Sequence, residues 1–205
     1  MSARGPFQDN LAIRADALTL ARGGRVLFKD MSFVAASGAY AEVHGANGSG
    51  KTSLLRALAG FLKPRGGAIS FENVEEPALS LHYIGHANGL KREASVRSHL
   101  RYWAGLFGAA PSEESVATAL GLTRALDASV RILSQGQARR LALARLIIAP
   151  RPIWLLDEPA AALDADGRSG LNELIASQRA SGGIVVAAVH EALGPQPTQI
   201  IRITP

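Results

Sequence analysis

Gly45-Ala46-Asn47-Gly48-Ser49-Gly50-Lys51-Thr52 fills every position of the pattern G-x-x-x-x-G-K-[ST]. In front of it, residues 40–44 read as a strand; behind it, residues 53–62 carry Leu54, Leu55, Leu58 and Leu62 on helical spacing. Strand, glycine loop and helix are the context in which the pattern has a mechanism. The glycines let backbone N–H groups curl around phosphate oxygens, and the positive end of the following helix favours the same anion. Lys51 is then placed to reach β- and γ-phosphates, and Thr52 to offer a hydroxyl to Mg²⁺. A chance match in a chain this long has odds on the order of one in a hundred or less. Gly45, Ala46, Asn47, Gly48, Ser49, Gly50, Lys51 and Thr52 are therefore candidate nucleotide contacts.

The apolar run Ile153-Trp154-Leu155-Leu156 reads as a strand ending in Asp157-Glu158, which delivers two carboxylates together at a strand tip. Ligands of open α/β sheets collect at that edge. Alone, an acidic pair after a strand is more often a solvated turn or a helix start; beside a phosphate loop, Asp157 becomes a candidate Mg²⁺ holder and Glu158 a candidate to activate the attacking water. His190 closes a strand at 184–189, so it can meet both motifs at one edge and contact a γ-phosphate. His44, His82, His86 and His99 read as bland surface or capping histidines.

Leu133-Ser134-Gln135-Gly136-Gln137 precedes a helix predicted at 138–148, putting a hydroxyl and a glycine at a positive helix end. Taken alone, Ser134 is an ordinary N-cap. Taken with the phosphate loop it is a second phosphate site, one that serves another molecule's nucleotide and so implies a head-to-tail dimer.

Around these motifs, strands read at 17–20 and 26–34 flank Gly23-Gly24 and begin a small antiparallel lobe; residues 1–10 read as polar and frayed. Further strands read at 68–71 and 81–84, helices at 96–107, 112–120 and 167–178, and a last strand at 200–203. Strands alternating with helices predict an α/β fold with a mostly parallel core sheet, interrupted by a helical lobe at about 88–150 of one domain spanning 1–205. A hydrophobic share of 47% and a charged share of 19% suit a globular chain, and zero cysteines exclude disulfides and thiolate metal sites. The longest apolar runs fall far short of the roughly 20 residues a membrane helix needs, and residues 1–10 lack a signal-peptide core. The net charge of +5 is scattered, which predicts a mildly basic surface and no nucleic-acid partner.

In order, residues 45–52, 133–137, 153–158, Ala162-Leu163-Asp164 and His190 resemble the Walker A, LSGGQ signature, Walker B, D-loop and H-loop of ABC transporter ATPases, over about the whole chain. The resemblance implies a P-loop NTPase cassette with an N-terminal antiparallel β lobe and a helical signature lobe, ATP and Mg²⁺ as ligands, and a homodimer in which Ser134, Gly136 and Gln137 act in trans. Several stretches, among them Leu81-His82-Tyr83-Ile84-Gly85-His86 and Leu100-Arg101-Tyr102-Trp103-Ala104, are similar to the cytochrome c maturation (haem export) branch of the family. That branch implies a separate integral membrane subunit and a peripheral place on the cytoplasmic face of the bacterial inner membrane. Two positions depart from the family: Ala87-Asn88 stand where a Q-loop glutamine is expected just after His86, and Arg22 stands for the adenine-stacking aromatic, a role a guanidinium can fill. A P-loop kinase has no use for a signature motif, and a nucleic-acid-handling cassette would bring a tandem copy or a coiled-coil insertion; the alternative within the class is a different membrane partner.

Overall fold

A computed structural model describes Phe7 and residues 10–204, so the expectation for residues 1–10 lies largely outside the described residues. β1 (Ala12–Arg22) and β2 (Arg25–Ala36) pair antiparallel from Ala12 opposite Ala36 to Arg22 opposite Arg25. Gly23 (φ 57°) and Gly24 (φ 81°) make the two-residue turn between them, where both residues need positive φ. β4 (Gly66–Glu72) adds antiparallel to the other side of β1, so this lobe is closed by a strand that arrives only after the phosphate loop.

The second sheet runs β5 (Leu81–Ile84), β6 (Ile153–Asp157), β7 (Ile184–Ala188), β3 (Tyr40–His44), β8 (Gln199–Arg202), and all four of its ladders are parallel. Every residue of β6 and β7 is buried, as a parallel sheet covered on both faces requires. Period-two alternation sorts their side chains. Ile153, Leu155, Ile184, Val186 and Ala188 face α1 (Lys51–Leu58) and the antiparallel lobe, while Trp154, Leu156, Val185 and Ala187 face α5 (Ala165–Ala180) through Leu171 and Ile175. Truncating one such leucine to alanine destabilises a core by about 2–5 kcal/mol.

A third core lies among α2 (Val96–Phe107), α3 (Glu113–Ala119) and α4 (Gln135–Ile148), where Val96, Leu100 and Trp103 meet Val116, Leu141, Ala144 and Ile148. Arg97 ties this lobe at its surface, bridging Asp127, Glu113 and Glu114. His82 on β5 anchors the C-terminal end of α4: its Nε2 bonds the Ala149 carbonyl at 2.7 Å, and burial pushes its pKa down to about 4, so the ring is neutral.

Three helices start earlier than apolar periodicity predicts. α1 begins at Lys51 instead of 53, α4 at Gln135 instead of 138, and α5 at Ala165 instead of 167. In each, the first turn holds polar or small residues that the apolar stripe cannot mark. α1 also ends sooner than predicted, because Gly60 (φ 78°) turns the chain and Pro64 follows; Leu62 packs on the core from outside the helix.

Candidate nucleotide site

Parallel pairing puts the C-terminal ends of β3, β5, β6 and β7 on one edge of the sheet. The residues that follow are the phosphate loop, Gly85-His86, Glu158 and Val189-His190. The edge thus assembles, from segments distant in sequence, a loop for phosphate and a carboxylate flanked by imidazoles.

Gly50 caps α1 with φ 117°, a conformation that an L side chain rarely adopts. Lys51, buried, folds back over the loop and donates to the carbonyls of Gly45 at 2.7 Å and Ala46 at 3.2 Å. Thr52 Oγ1 donates to Asp157 Oδ1 at 3.1 Å and so ties the loop to the tip of β6. Burial pushes the Asp157 carboxyl above its ordinary range, with the Thr52 hydroxyl acting in the opposite direction. Its other oxygen, Oδ2, and Ser49 Oγ are buried without a hydrogen-bond partner among the described residues. The loop opens on a cleft of about 470 Å³ whose wall includes Arg22, Leu27, Glu158 and His190. That volume lies in the range of small-molecule sites.

Glu158 has φ 49°, left-handed for a non-glycine residue, which costs about 1–3 kcal/mol unless the surroundings enforce it. Here its N–H donates to Ala188 O at 2.9 Å and its carbonyl accepts from Arg139 Nη2 at 2.9 Å. Its carboxylate lies between two imidazoles, with His190 Nε2 at 2.8 Å from Oε1 and His86 Nδ1 at 3.4 Å from Oε2. His190 therefore stands where strand order predicts. His86 is exposed, as its surface reading expects, and reaches Glu158 because β5, like β6 and β7, ends at this edge. Its place at a strand end was the available signal.

Ser134 caps α4 in a full capping box, accepting from Gln137 N at 3.1 Å while its own N–H donates to Gln137 Oε1 at 2.9 Å. The serine oxygen is taken by the cap, and its hydroxyl proton is left to donate outward. Gly136 is tight for a local reason as well, since a Cβ there would sit 2.7 Å from Ala162 O. Asp164 caps α5 through Gly167 N at 3.0 Å. Of the segment 133–137, Leu133 and Gln135 border a second cleft of about 430 Å³, shared with His86, Ala161 and Ala162; Ser134, Gly136 and Gln137 line neither that cleft nor the phosphate-loop cleft. Asn88, in the place of the expected glutamine, points its Oδ1 at Arg139 Nη1, 3.1 Å away.

A phosphate loop at the mouth of a parallel sheet, with a strand-borne carboxylate pair and a separate helical lobe, defines a P-loop nucleotide-binding cassette. The chain belongs to the ABC transporter family, whose model matches residues 28–161, β2 to just past Glu158. It is 42% identical over 193 residues to the cytochrome c biogenesis ATP-binding export protein CcmA of Rhizobium meliloti (strain 1021), covering 90% of this chain and 93% of that protein. The protein of the same description from Bradyrhizobium diazoefficiens is 46% identical over 179 residues, covering 84% and 88%. In fold, the chain superposes on a putative ABC transporter ATP-binding protein from Pyrococcus furiosus with TM-score 0.80 at 24% identity, over 94% of this chain and 97% of that one.

Proposed function

We propose that this chain is the ATP-hydrolysing, energy-coupling subunit of the haem-export and cytochrome c biogenesis ABC system. The observation that carries the enzymatic part is the Glu158 carboxylate, held by His190 on the wall of the cleft that the phosphate loop opens. The names of its relatives carry the assignment to cytochrome c biogenesis and export, and haem as the cargo rests on the family resemblance.

In this reading Lys51 exchanges the Gly45 and Ala46 carbonyls for β- and γ-phosphate oxygens, and the loop amides hold the remaining charge. Glu158 orients a water against the γ-phosphorus and takes its proton, while His190 fixes the carboxylate and contacts the γ-phosphate. Thr52 and Asp157 fit a Mg²⁺ ion, because a buried and unpartnered Asp157 Oδ2 beside a threonine hydroxyl is a hard oxygen set. Among the described residues no group of three or more His, Cys, Asp or Glu is placed to hold a metal, so phosphate oxygens and water would complete the shell. When bound, the cation neutralises charge on the phosphates. Arg22, on the cleft wall, stacks on the base.

Ser134, Gly136 and Gln137, at the N-terminal end of α4 and outside the lining of the phosphate-loop cleft, serve in this reading the nucleotide of a second copy, and the working unit is a homodimer. The whole chain acts as one cassette, with residues 88–150 as the lobe that presents the signature. Among the described residues no helix is long and apolar enough to cross a membrane. The relatives are named as ATP-binding export proteins, and export needs a membrane-crossing partner; in this reading that partner is a separate integral subunit, CcmB-like, with the chain peripheral on the cytoplasmic face of the bacterial inner membrane.

The test is recovery from membranes. Tagged Glu158→Gln chain, held with ATP and Mg²⁺, is expected to bring down an integral subunit of the cytochrome c maturation system. Recovery of another ABC permease, or of nucleic acid with salt-sensitive binding and stimulated hydrolysis, would contradict that assignment.

A further inference from the structure

Arg139 lies in the second turn of α4, is 3% exposed, and among the described residues meets no carboxylate side-chain oxygen within pairing distance. Its guanidinium has five N–H bonds, and all five find an oxygen. Nε donates to Pro159 O at 3.1 Å; Nη1 to Gly85 O at 2.8 Å and Asn88 Oδ1 at 3.1 Å; Nη2 to Asp157 O at 2.7 Å and Glu158 O at 2.9 Å. Burial pulls its pKa below the ordinary arginine range, against the charges of Asp157 and Glu158. A cation placed there at such desolvation, and matched donor for donor, is a specific joint rather than a filler.

The acceptors fall into two groups. Three are the successive carbonyls of 157–159, which include the residue with left-handed φ; two belong to the segment 85–88, which also sends His86 to the Glu158 carboxylate. While the fork is engaged, neither group can shift without the other, and α4, whose first turn bears Ser134, shifts with both. We propose that Arg139 is a positioning residue for hydrolysis: it holds the Glu158 backbone in the conformation that aims the carboxylate into the cleft and transmits displacements of the 85–88 segment, through Asn88, to that carboxylate. This rests on the reading of Glu158 as the water-activating group.

The experiment compares the full chain with Arg139→Lys and Asn88→Ala, measuring steady-state ATP hydrolysis, equilibrium binding of a fluorescent ATP analogue and thermal melting. Lysine keeps the charge and loses the fork; the expected result is a fall in kcat of at least about tenfold with analogue affinity within about threefold of wild type. Asn88→Ala removes one acceptor and leaves four bonds, and is expected to lower kcat about threefold at unchanged KM and melting temperature. A merely structural arginine would lower kcat and bound analogue together, in proportion to the folded fraction; that result, or unchanged kcat in folded Arg139→Lys, overturns the proposal. If Arg139→Lys does not fold, Asn88→Ala decides, and unchanged kcat there overturns it. Glu158→Gln in the same assay separates the two readings: if it keeps wild-type turnover the role of Glu158 itself falls, whereas an inert Glu158→Gln beside a fully active Arg139→Lys removes only Arg139.

Discussion

Glu158→Gln is expected to lower kcat for ATP hydrolysis by about 10²–10⁴-fold, the range that a positioned general base supplies, with ATP affinity within about threefold of wild type. Glutamine matches glutamate in size and keeps an oxygen that His190 can hold, and the backbone clamps on the Glu158 N–H and carbonyl are main-chain bonds untouched by the change. What disappears is the capacity to accept a proton from the attacking water. Each factor of ten corresponds to about 1.4 kcal/mol of barrier, so the change raises the barrier by about 3–5 kcal/mol through lost stabilisation of the transition state alone. Phosphate-release kinetics and equilibrium binding measured on the same preparation make the check. A variant that still turns over within tenfold of wild type would remove Glu158 from the chemistry.

Lys51→Ala is expected to act on the other side of that division, raising the dissociation constant for ATP by about 100-fold or more. Lys51 is buried at the start of α1, and its ammonium is bonded to two loop carbonyls. Hydrogen bonds to charged groups are worth about 1.5–3 kcal/mol each, and two phosphate contacts together exceed the 2.7 kcal/mol that separates affinities 100-fold apart. Alanine is a good helix former, so α1 should persist, and circular dichroism would verify that. Isothermal titration with ATP and Mg²⁺ reads the result; unchanged affinity would mean that the phosphates lie elsewhere.

The parts of the molecule most legible in the sequence were those in which chemistry and local geometry coincide. The phosphate loop needs glycines, a lysine and a hydroxyl in fixed order, and β6 is apolar from Ile153 to Leu156 because both of its faces are covered, with Asp157 at its tip. That β4 closes the antiparallel lobe was not legible, since its partner β1 lies on the far side of the loop and α1, and strand pairing of that kind leaves no local mark. The late starts predicted for α1, α4 and α5 share one cause: their first turns, Lys51-Thr52, Gln135-Gly136-Gln137 and Ala165-Asp166, hold loop, signature and acidic residues outside the apolar stripe. A lone histidine carries no local signal of the contact that His86 makes, because strand order, not residue type, sets it against Glu158. Arg139 was invisible in a run of two arginines, Arg139-Arg140, of which only the fold shows that one is buried against the tip of β6.

The proposal that Ser134, Gly136 and Gln137 serve the nucleotide of a second copy makes the heaviest demand, two chains around each nucleotide. Sedimentation velocity of Glu158→Gln chain at micromolar concentration, with and without ATP and Mg²⁺, measures this directly. The account predicts a 21.5 kDa monomer without nucleotide and a species of about twice that mass with it. A chain that binds ATP and remains at 21.5 kDa would contradict it.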